Sequence, residues 1–334
     1  MIREVDVSVL RLKRLAAAAV AAMTLLLPGI GQAAPPGVRE LSIGVFPALR
    51  PLELIRAMHW LEDAGYKVSW HDFLQGIPPE AAAMAAGSID FGEADTSGIE
   101  QVASHSPGVM WYIADGAMNY VALVARKDSG IKTVADLKGR KVGGVTPNTA
   151  PTAVLQLALA QAGLTLHDIQ GYNIIGPSQP AALERGAIDA AISYVPYTAE
   201  AITSGTSTLV TTASVVYGKP WPGGGVIVRP AFAKAHPDVV EDLLRYVVRA
   251  ETMLREHPQE AYKALAAGTK TSLKNVSFCY TEGLVKPTAV LPDKAAMIAQ
   301  ATVLQKFHVI NVPDVTAFIN ELVHPEFAAK VVAH

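Results

Sequence analysis

Two periods of hydrophobic and polar positions recur along this chain. Alternation in Glu40–Phe46 predicts a first strand, and apolar residues three or four positions apart from Leu52 to Leu61 predict the helix after it. The strand-then-helix order repeats to about residue 228, and beyond Ala231 the helical period dominates. An alternating β-α-β-α order implies mostly parallel sheets with helices on both faces, so the fold class predicted is α/β.

One device occurs twice, and we call it a corner. Gly-Ser-Ile-Asp-Phe begins at Gly87 and Gly-Ala-Ile-Asp-Ala begins at Gly186, so the two copies start 99 positions apart (186 − 87). In each copy a left-handed glycine ends a helix, a short strand follows, and a new helix begins. At the first corner Thr96 or Ser97 can cap the new helix. Two corners about one lobe apart predict two similar α/β lobes with the corners facing each other, unless a common turn recurred by chance.

The N-terminus has the order of a secretory signal peptide. Basic Arg11–Arg14 precedes an uncharged apolar run, Leu15–Leu27, which is too short to span a membrane well, and small residues precede Ala34. We therefore expect residues 1–33 to be removed on export. Cys279 is the only cysteine and has no partner for an intrachain disulfide, which fits a bacterial periplasm better than a disulfide-built secreted domain.

Charge and motif content narrow the function classes. The formal net charge is −2 and no long basic block occurs, so nucleic acid is not an expected partner. The sequence contains no G-x-S-x-G, H-E-x-x-H, C-x-x-C, P-loop or G-x-G-x-x-G motif, and its nine histidines are scattered. We expect no catalysis, no metal site and no cofactor.

The domain organisation follows from two predicted crossings of the chain. The polar turn at Lys127–Gly130 is placed at the first crossing, and the loop Trp221–Gly225 precedes the strand that returns. One lobe then comprises residues 34–126 and 226–334, with C-terminal helices packed on it, and the other comprises residues 127–225. Ligands of open α/β sheets bind outside the carboxyl ends of the strands, so a cleft between the lobes is the expected site.

Several segments resemble one family of transport proteins. They are Ser42–Val45, Gly87–Gly92, Asp136–Val142, Arg185–Ala190 and Phe232–Val240. With the export signal and the helical tail, they resemble the periplasmic solute-binding proteins of ABC importers, in particular the taurine, alkanesulfonate and nitrate group. The resemblance implies a type II two-lobed fold with a two-strand hinge, closure of the cleft on a ligand, and delivery to a membrane permease.

The second corner departs from that group. Taurine-type members resemble Tyr-Val-Trp there, whereas this chain has Tyr194, Val195, Pro196 and Tyr197. Either Tyr197 or Trp221 could supply the missing aromatic wall. A sulfonate, a sulfate ester, a nitrate-like anion, a small carboxylate and a heteroaromatic precursor all remain candidate ligands.

Candidate ligand-binding residues lie at the predicted strand ends and crossings. They are Phe46, Pro47, Arg50, Asp95, Thr96, Ser97, Asn119, Tyr120, Asn148, Thr149, Ala150, Tyr194, Tyr197 and Trp221. Arg50 either binds an acidic ligand or is a solvated residue before a helix. Asp95 either pairs with a ligand ammonium group or caps the helix that follows. The helix starts at Thr96 and Thr149 offer unpaired amides and positive dipole ends, so we expect an oxyanion to bind mainly there.

The leading hypothesis is a monomeric, non-catalytic solute-binding component that captures a small anionic, sulfonate-like organic ligand in the periplasm. A second hypothesis is an enzyme on the same fold, related to the synthesis of a thiamine precursor, hydroxymethylpyrimidine. Those enzymes resemble one another in a Cys-rich active segment, which a chain with one cysteine lacks. A third hypothesis is an exported ligand-sensing domain that serves no transporter.

Overall fold

Residue 37 and residues 40–118, 120–218 and 222–333 are described by the computed structural model. Within them ten strands form two five-stranded sheets. The first sheet has the order β2-β1-β3-β10-β4, with β1 Glu40–Val45, β2 Lys67–Asp72, β3 Phe91–Asp95, β4 Trp111–Met118 and β10 Pro222–Val228. The predicted signal peptide, Asn119 and Trp221 lie outside the described residues.

The second sheet has the order β7-β6-β8-β5-β9. Its strands are β5 Val121–Arg126, β6 Lys141–Gly143, β7 Gln170–Tyr172, β8 Ala190–Tyr194 and β9 Ser207–Thr212. In each sheet one strand, β10 or β5, runs antiparallel to both of its neighbours, and the remaining pairs are parallel. Four strands of each sheet therefore run in one direction, which confirms the predicted α/β class.

Equivalent aspartate contacts occur in both sheets. Asp90 before β3 accepts a hydrogen bond from the backbone N–H of Ser42, and Asp189 before β8 accepts one from Lys141. Both pairs are related by the spacing of 99 found in the sequence. Each aspartate also faces an arginine from the end of the antiparallel strand: Arg229 lies 2.7 Å from Asp90, and Arg126 lies 3.5 Å from Asp189. The repeat therefore includes the contacts of each corner with its sheet as well as the corner itself.

The strand assignments at the crossings differ from the predicted ones. β5 pairs with β8 and β9, so Val121–Arg126 belongs to the second sheet, and the chain crosses before this strand, not at residue 127. The stretch Pro222–Gly225, predicted as a loop, is the first half of β10. A Cβ at Gly224 would lie 2.5 Å from the carbonyl oxygen of Ala94, so this glycine allows close strand packing and does not mark a turn.

Helices cover both sheets. Those between the strands are Pro51–Ala57, Trp60–Asp63, Ile77–Ala85, Thr96–His105, Ala150–Gln161, Gln179–Glu184, Tyr197–Thr203 and Ala213–Tyr217. Short 3₁₀ turns occupy Lys127–Ser129, Val134–Leu137, Leu166–Asp168 and Gly176–Ser178. After β10 come Pro230–Ala235, Pro237–Glu256, Pro258–Gly268, Leu273–Thr281, Lys294–Lys306, Val315–Leu322 and Glu326–Val332. No helix of the described segments has the length and apolar character needed to cross a membrane.

The C-terminal helices do not all pack on the first sheet's side. Helix Pro237–Glu256 packs against helix Pro51–Ala57, and Tyr66 donates a hydrogen bond of 2.8 Å to Asp242 on it. Helix Leu273–Thr281, by contrast, contacts helix Tyr197–Thr203 of the second sheet. The predicted lobe of residues 34–126 and 226–334 includes this helix, so the contact departs from that assignment; no hydrophobic pattern had predicted the helix itself.

Candidate functional site

The two corners face each other. Asp95 ends β3 and Tyr194 ends β8, and the Tyr194 hydroxyl donates a hydrogen bond of 2.8 Å to Asp95 Oδ2. Both side chains are buried, and their spacing is again 99. The glycines that open the corners, Gly87 and Gly186, have φ angles of 73° and 69°, in the left-handed region. The prediction that the corners face each other is confirmed.

Asp95 caps the helix Thr96–His105, which we call the Thr96 helix. Its extended backbone and its side chain, which accepts from the N–H of Gly98, define an N-cap. The prediction that Thr96 or Ser97 is the cap is therefore wrong, since both lie inside the first turn. A carboxylate already occupies the donor that an oxyanion would use, so this helix start does not offer the free site that the sequence indicated.

Arg50 is buried next to this cap. It is 2% exposed, so it is not the solvated residue that one interpretation expected. Its guanidinium donates to the carbonyl oxygen of Glu93 at 2.9 Å and to the hydroxyl of Tyr120. Its Cζ lies 4.3 Å from the Tyr120 ring centroid and 5.8 Å from that of Tyr194. The single arginine predicted for the cleft is thus tied to groups of the protein itself.

The first corner is rich in buried carboxyl groups. Burial raises the pKa of Glu93 to about 8, although Arg50 opposes the shift, and burial raises the pKa of Glu80 to about 8 in the same way. Burial also raises the pKa of Asp95, against the effects of Arg50 and of the hydrogen bonds from Tyr194 and Gly98. At neutral pH the two glutamic acids stay largely protonated.

A first cavity of about 30 Å³ lies between the sheets. None of the described residues around it carries a charge. From the first sheet's side come Phe46, Leu74, Gln75 and Gly76; from the second come Gly144, Thr146, Thr149, Pro151, Ile174, Ile175, Gly176, Gln179, Ile192, Ser193 and Tyr194. The start of helix Ala150–Gln161, which we call the Ala150 helix, therefore faces this space.

Thr149 precedes the Ala150 helix, but its side chain does not cap it. The hydroxyl donates to the carbonyl oxygen of Thr146 at 2.8 Å, and Pro151 occupies the first turn. Asn148 lies before it with a φ of 58°, is exposed, and borders neither cavity described in this section. Without a capping side chain, the positive end of this helix can still accept a negative ligand group.

Close approach around the first cavity depends on glycine. Gly144 has a φ of 86°, and a Cβ there would lie 2.0 Å from the carbonyl oxygen of Ile192. A Cβ on Gly176 would lie 2.4 Å from the Tyr197 ring. Tyr197 in turn donates to the carbonyl oxygen of Pro47 at 3.3 Å, so a wall residue of the second sheet's side contacts the first loop directly.

A second, smaller cavity of about 10 Å³ lies beside the chain crossings. Tyr120 borders it and stacks on Tyr194 of the first cavity, with ring centroids 5.4 Å apart. The other residues around it are Thr96, Ser97, Val121, Ala150, Val154, Ala213, Tyr217, Gly223 and Gln300. Residues of the first corner and of the last third of the chain thus meet at this cavity.

The predicted residues divide among these places. Phe46, Thr149 and Tyr194 border the first cavity, and Thr96, Ser97, Tyr120 and Ala150 border the second. Four more predicted residues are placed near the cavities by the contacts described above: Arg50, Asp95, Pro47 and Tyr197. Asn119 and Trp221 lie outside the described residues, so the identity of the aromatic wall stays open. Sequence reasoning missed Gln179, Ser193, Tyr217 and Gln300; only Ser193, which directly precedes Tyr194 in the repeat, carried a usable signal.

Two sheets of this topology, crossed by the chain between them and enclosing polar cavities at their strand ends, define the class of two-sheet solute-binding folds. The NMT1/THI5-like family model matches residues 58–261, and the chain belongs to that family. A putative aliphatic sulfonates-binding protein of Bacillus subtilis is 28% identical over 284 residues, which covers 81% of this chain and 82% of that protein.

Solved structures show the same fold. The alkanesulfonate-binding protein of Xanthomonas axonopodis pv. citri, bound to MOPS, aligns with a TM-score of 0.71 at 21% identity, over 87% of this chain and 99% of that one. The periplasmic nitrate-binding protein of Synechocystis PCC 6803 aligns with a TM-score of 0.76 at 15% identity, over 90% and 89%. These likenesses confirm the predicted resemblance and fold.

The fold is not restricted to binding proteins. A desulfurization enzyme aligns with a TM-score of 0.61 at 16% identity, over 88% of this chain and 99% of that one. The described residues contain no group of three or more His, Cys, Asp or Glu side chains able to hold a metal ion.

Proposed function

We propose that this chain is the solute-binding component of an ABC importer, which captures a small organic ligand between the two sheets and delivers it to a membrane permease. The observation that carries the proposal is the meeting of the corners: Asp95 and Tyr194 join across the sheets, and cavities lie beside them. Each sheet is then the core of one lobe, and the two crossings, before β5 and before β10, form the hinge.

Ligand entry requires the two lobes to separate. A cavity of about 30 Å³ has room for about two water molecules, which is too little for an organic sulfonate. The contacts that close it include the Tyr194–Asp95 hydrogen bond, the longer Tyr197–Pro47 hydrogen bond, the packing of Phe46 on Tyr194, and the approach of Gly76 to Thr149. A hinge motion that breaks these contacts would open the site, and a ligand would replace them on closure.

The surroundings of the first cavity favour an anionic ligand held by neutral donors. The guanidinium of Arg50 is bound to Glu93 and Tyr120, and no arginine or lysine is among the described residues around the cavity. The Ala150 helix directs its positive end there, and Ser193 lies beside it; the hydroxyls of Thr149 and Thr146 already donate to the carbonyl oxygen of Thr146 and to Asn173 Oδ1. A sulfonate or carboxylate is suited to such a helix terminus, and the sulfonate-binding proteins among the relatives agree with a sulfonate.

A thermal-shift screen tests the proposal, because a ligand that binds only the folded state raises the melting temperature. The panel is methanesulfonate, propanesulfonate, MOPS, nitrate, and small carboxylates. A hit is then titrated by calorimetry against Gln75→Trp, which fills the exposed edge of the first cavity, and against Gln259→Trp, an equally exposed glutamine on helix Pro258–Gly268. Binding lost only in Gln75→Trp supports the site; equal binding by both variants contradicts it.

The rival functions differ in what happens to the ligand. If the chain is an enzyme related to hydroxymethylpyrimidine synthesis, a bound hit is consumed, whereas a binding protein returns it unchanged to mass spectrometry. An exported sensor domain binds in the same way, but its deletion leaves cellular uptake of the ligand intact. Uptake lost on deletion, with unchanged ligand recovered from the protein, is the combination that the proposal requires.

A further inference from the structure

Gln300 is an unusual residue of the second cavity. It lies on helix Lys294–Lys306, about 200 residues from the first corner, yet it is 1% exposed and borders the same space as Ser97 and Tyr120. Its Nε2 donates to Ser97 Oγ at 2.8 Å. Its Oε1 has no hydrogen-bond partner among the described residues. Because buried amide oxygens are nearly always paired, this acceptor indicates a missing donor.

The amide nitrogen is the end of the Gln300 side chain that faces Ser97 in the structure. Ser97 Oγ, which receives the Nε2 hydrogen, lies 2.9 Å from the hydroxyl of Tyr217. With Nε2 held by this hydroxyl pair, Oε1 is left to face elsewhere. Glu100, one turn further along the Thr96 helix, is fully buried, and neither of its carboxyl oxygens has a partner in the described part of the chain. Two buried polar side chains of one region therefore have atoms without partners, and burial raises the pKa of Glu100, which favours its protonated form.

Size limits what can supply the donor. The second cavity measures about 10 Å³, roughly the space of one water-sized group. Apolar Val121, Val154 and Ala213 form part of its wall. An aromatic ring or a sulfonate is too large, whereas a terminal amino or hydroxyl group fits. Tyr120, which borders this space, stacks on Tyr194, which borders the first cavity, so a ligand that occupies both spaces has to pass this ring pair.

We propose that the second cavity is a subsite for a water-sized hydrogen-bond donor on the ligand, an amino or hydroxyl group, and that Gln300 Oε1 receives its hydrogen. The inference rests on the proposed function, since it assigns the other end of the same ligand. The ligand then carries an acidic group at the Ala150 helix and a donor at the opposite end, and Gln300 determines the preference for substituted over plain acids.

Calorimetry with two matched series tests this assignment. One series is propanesulfonate, its terminal amine and its terminal alcohol; the other is butanoate with the same two substitutions. In the parent protein the amine or the alcohol of one series should bind at least about tenfold more tightly than the plain acid, the gain expected for one buried hydrogen bond. Gln300→Met removes the acceptor at nearly the same length and should abolish that preference while plain-acid affinity stays within about twofold.

Gln305→Met is the matched control on the same helix. Its Oε1 already accepts from the N–H of Val312 at 3.0 Å, so its loss should leave the preference intact. If Gln300→Met does not fold, Gln300→Asn withdraws the same amide by one methylene and gives the same comparison.

Each outcome of these titrations tests a different part of the proposal. Equal affinity for plain and substituted acids in the parent overturns the subsite but leaves the proposed function standing, and a preference that survives in Gln300→Met overturns the role of Gln300. Failure of every compound in both series to bind contradicts the acidic ligand class of the proposed function, and the subsite falls with it.

Discussion

The two corners have the same backbone and opposite chemistry. Each opens with a left-handed glycine, and each places an aspartate, Asp90 or Asp189, between the neighbouring strand and an arginine. They differ at the end of the strand. The first corner ends in a carboxylate that caps its own helix, and the second ends in a phenol that reaches across to that carboxylate. The repeated backbone brings the ends together, and the unlike side chains let them bond.

The buried polar side chains around the two corners also differ in chemistry. Glu80, Glu93 and Glu100 are buried around the first corner, whereas the buried polar side chains around the second are neutral, such as Gln179 and Ser193. A repeated scaffold can therefore present acceptors on one side and neutral donors on the other. This polarity, and not the shared topology, decides which ligand groups each side can bind.

The largest expected effect concerns Arg50, the buried arginine beside the helix cap of the first corner. Arg50→Leu leaves Asp95 buried without its charge partner and should lower the free energy of unfolding by about 3–5 kcal/mol. The matched control is Arg56→Leu on the same helix, a half-buried arginine paired with Asp72, for which about 0–1 kcal/mol is expected. Urea denaturation measures both. A loss no greater for Arg50 than for Arg56 would show that the first corner does not depend on this cation.

Next in size is the pH effect of Glu93 at the first corner, one of several buried carboxyl groups with a raised pKa. Burial raises the pKa of Glu93 from its ordinary value of 4.5 to about 8, so the folded state holds this proton more tightly than the unfolded chain. Its contribution is fully present below about pH 4.5 and is lost as the pH rises towards 8. Unfolding at pH 5.5 and at pH 8 should differ by on the order of 2–4 kcal/mol, stability being lower at pH 8.

Glu93→Gln should make this pH profile shallower by the share of one proton, because glutamine cannot release a proton, whereas Glu80, whose pKa is also raised to about 8, keeps its contribution. Glu40→Gln is the control: Glu40 is exposed, and its hydrogen bond to Lys67 lowers its pKa, so the profile should keep its slope. A profile that is equally steep in Glu93→Gln would remove this glutamic acid from the explanation.

The bond between the corners should have a smaller effect. Tyr194→Phe leaves Asp95 Oδ2 without its donor in a buried site and should lower the free energy of unfolding by about 1–3 kcal/mol. Tyr197→Phe removes a longer, partly buried hydrogen bond to the carbonyl oxygen of Pro47, and about 0.5–1 kcal/mol is expected. Thermal or urea unfolding compares them. Equal losses of unfolding free energy would show that the 2.8 Å hydrogen bond of Tyr194 contributes no more than the longer one of Tyr197.

The smallest expected effect is the difference in stability between alanine variants of the two glycines that open the corners. Both have left-handed φ angles, so alanine should cost about 1 kcal/mol at either position. A Cβ at Gly186 would also lie 2.6 Å from Nη1 of Arg126, whereas nothing lies within 4 Å of one at Gly87. Gly186→Ala should therefore be the more destabilising, and measuring both variants under one set of conditions decides it. The reverse order would show that Arg126 moves away freely.

The repeat in the sequence predicted much of this architecture. The spacing of 99 located two corners, and their contact in the structure follows it through to Asp95 and Tyr194. Candidate site residues that came from the repeat or from the first loop lie at or around the cavities. Asn148, proposed from its position at a helix start alone, is exposed beyond them, because an unpaired helix start does not fix which way the preceding residue faces.

The sequence by itself determined the local elements, since hydrophobic periods, left-handed glycines and helix starts act within a few residues of one another. Only the tertiary structure decided which sheet β5 joins, because a strand buried on both faces suits either sheet and only its partners β8 and β9 settle the matter. The same holds for Gln300 and Arg50. Their burial, and the one amide oxygen left without a donor, depend on long-range packing between segments that no local pattern relates.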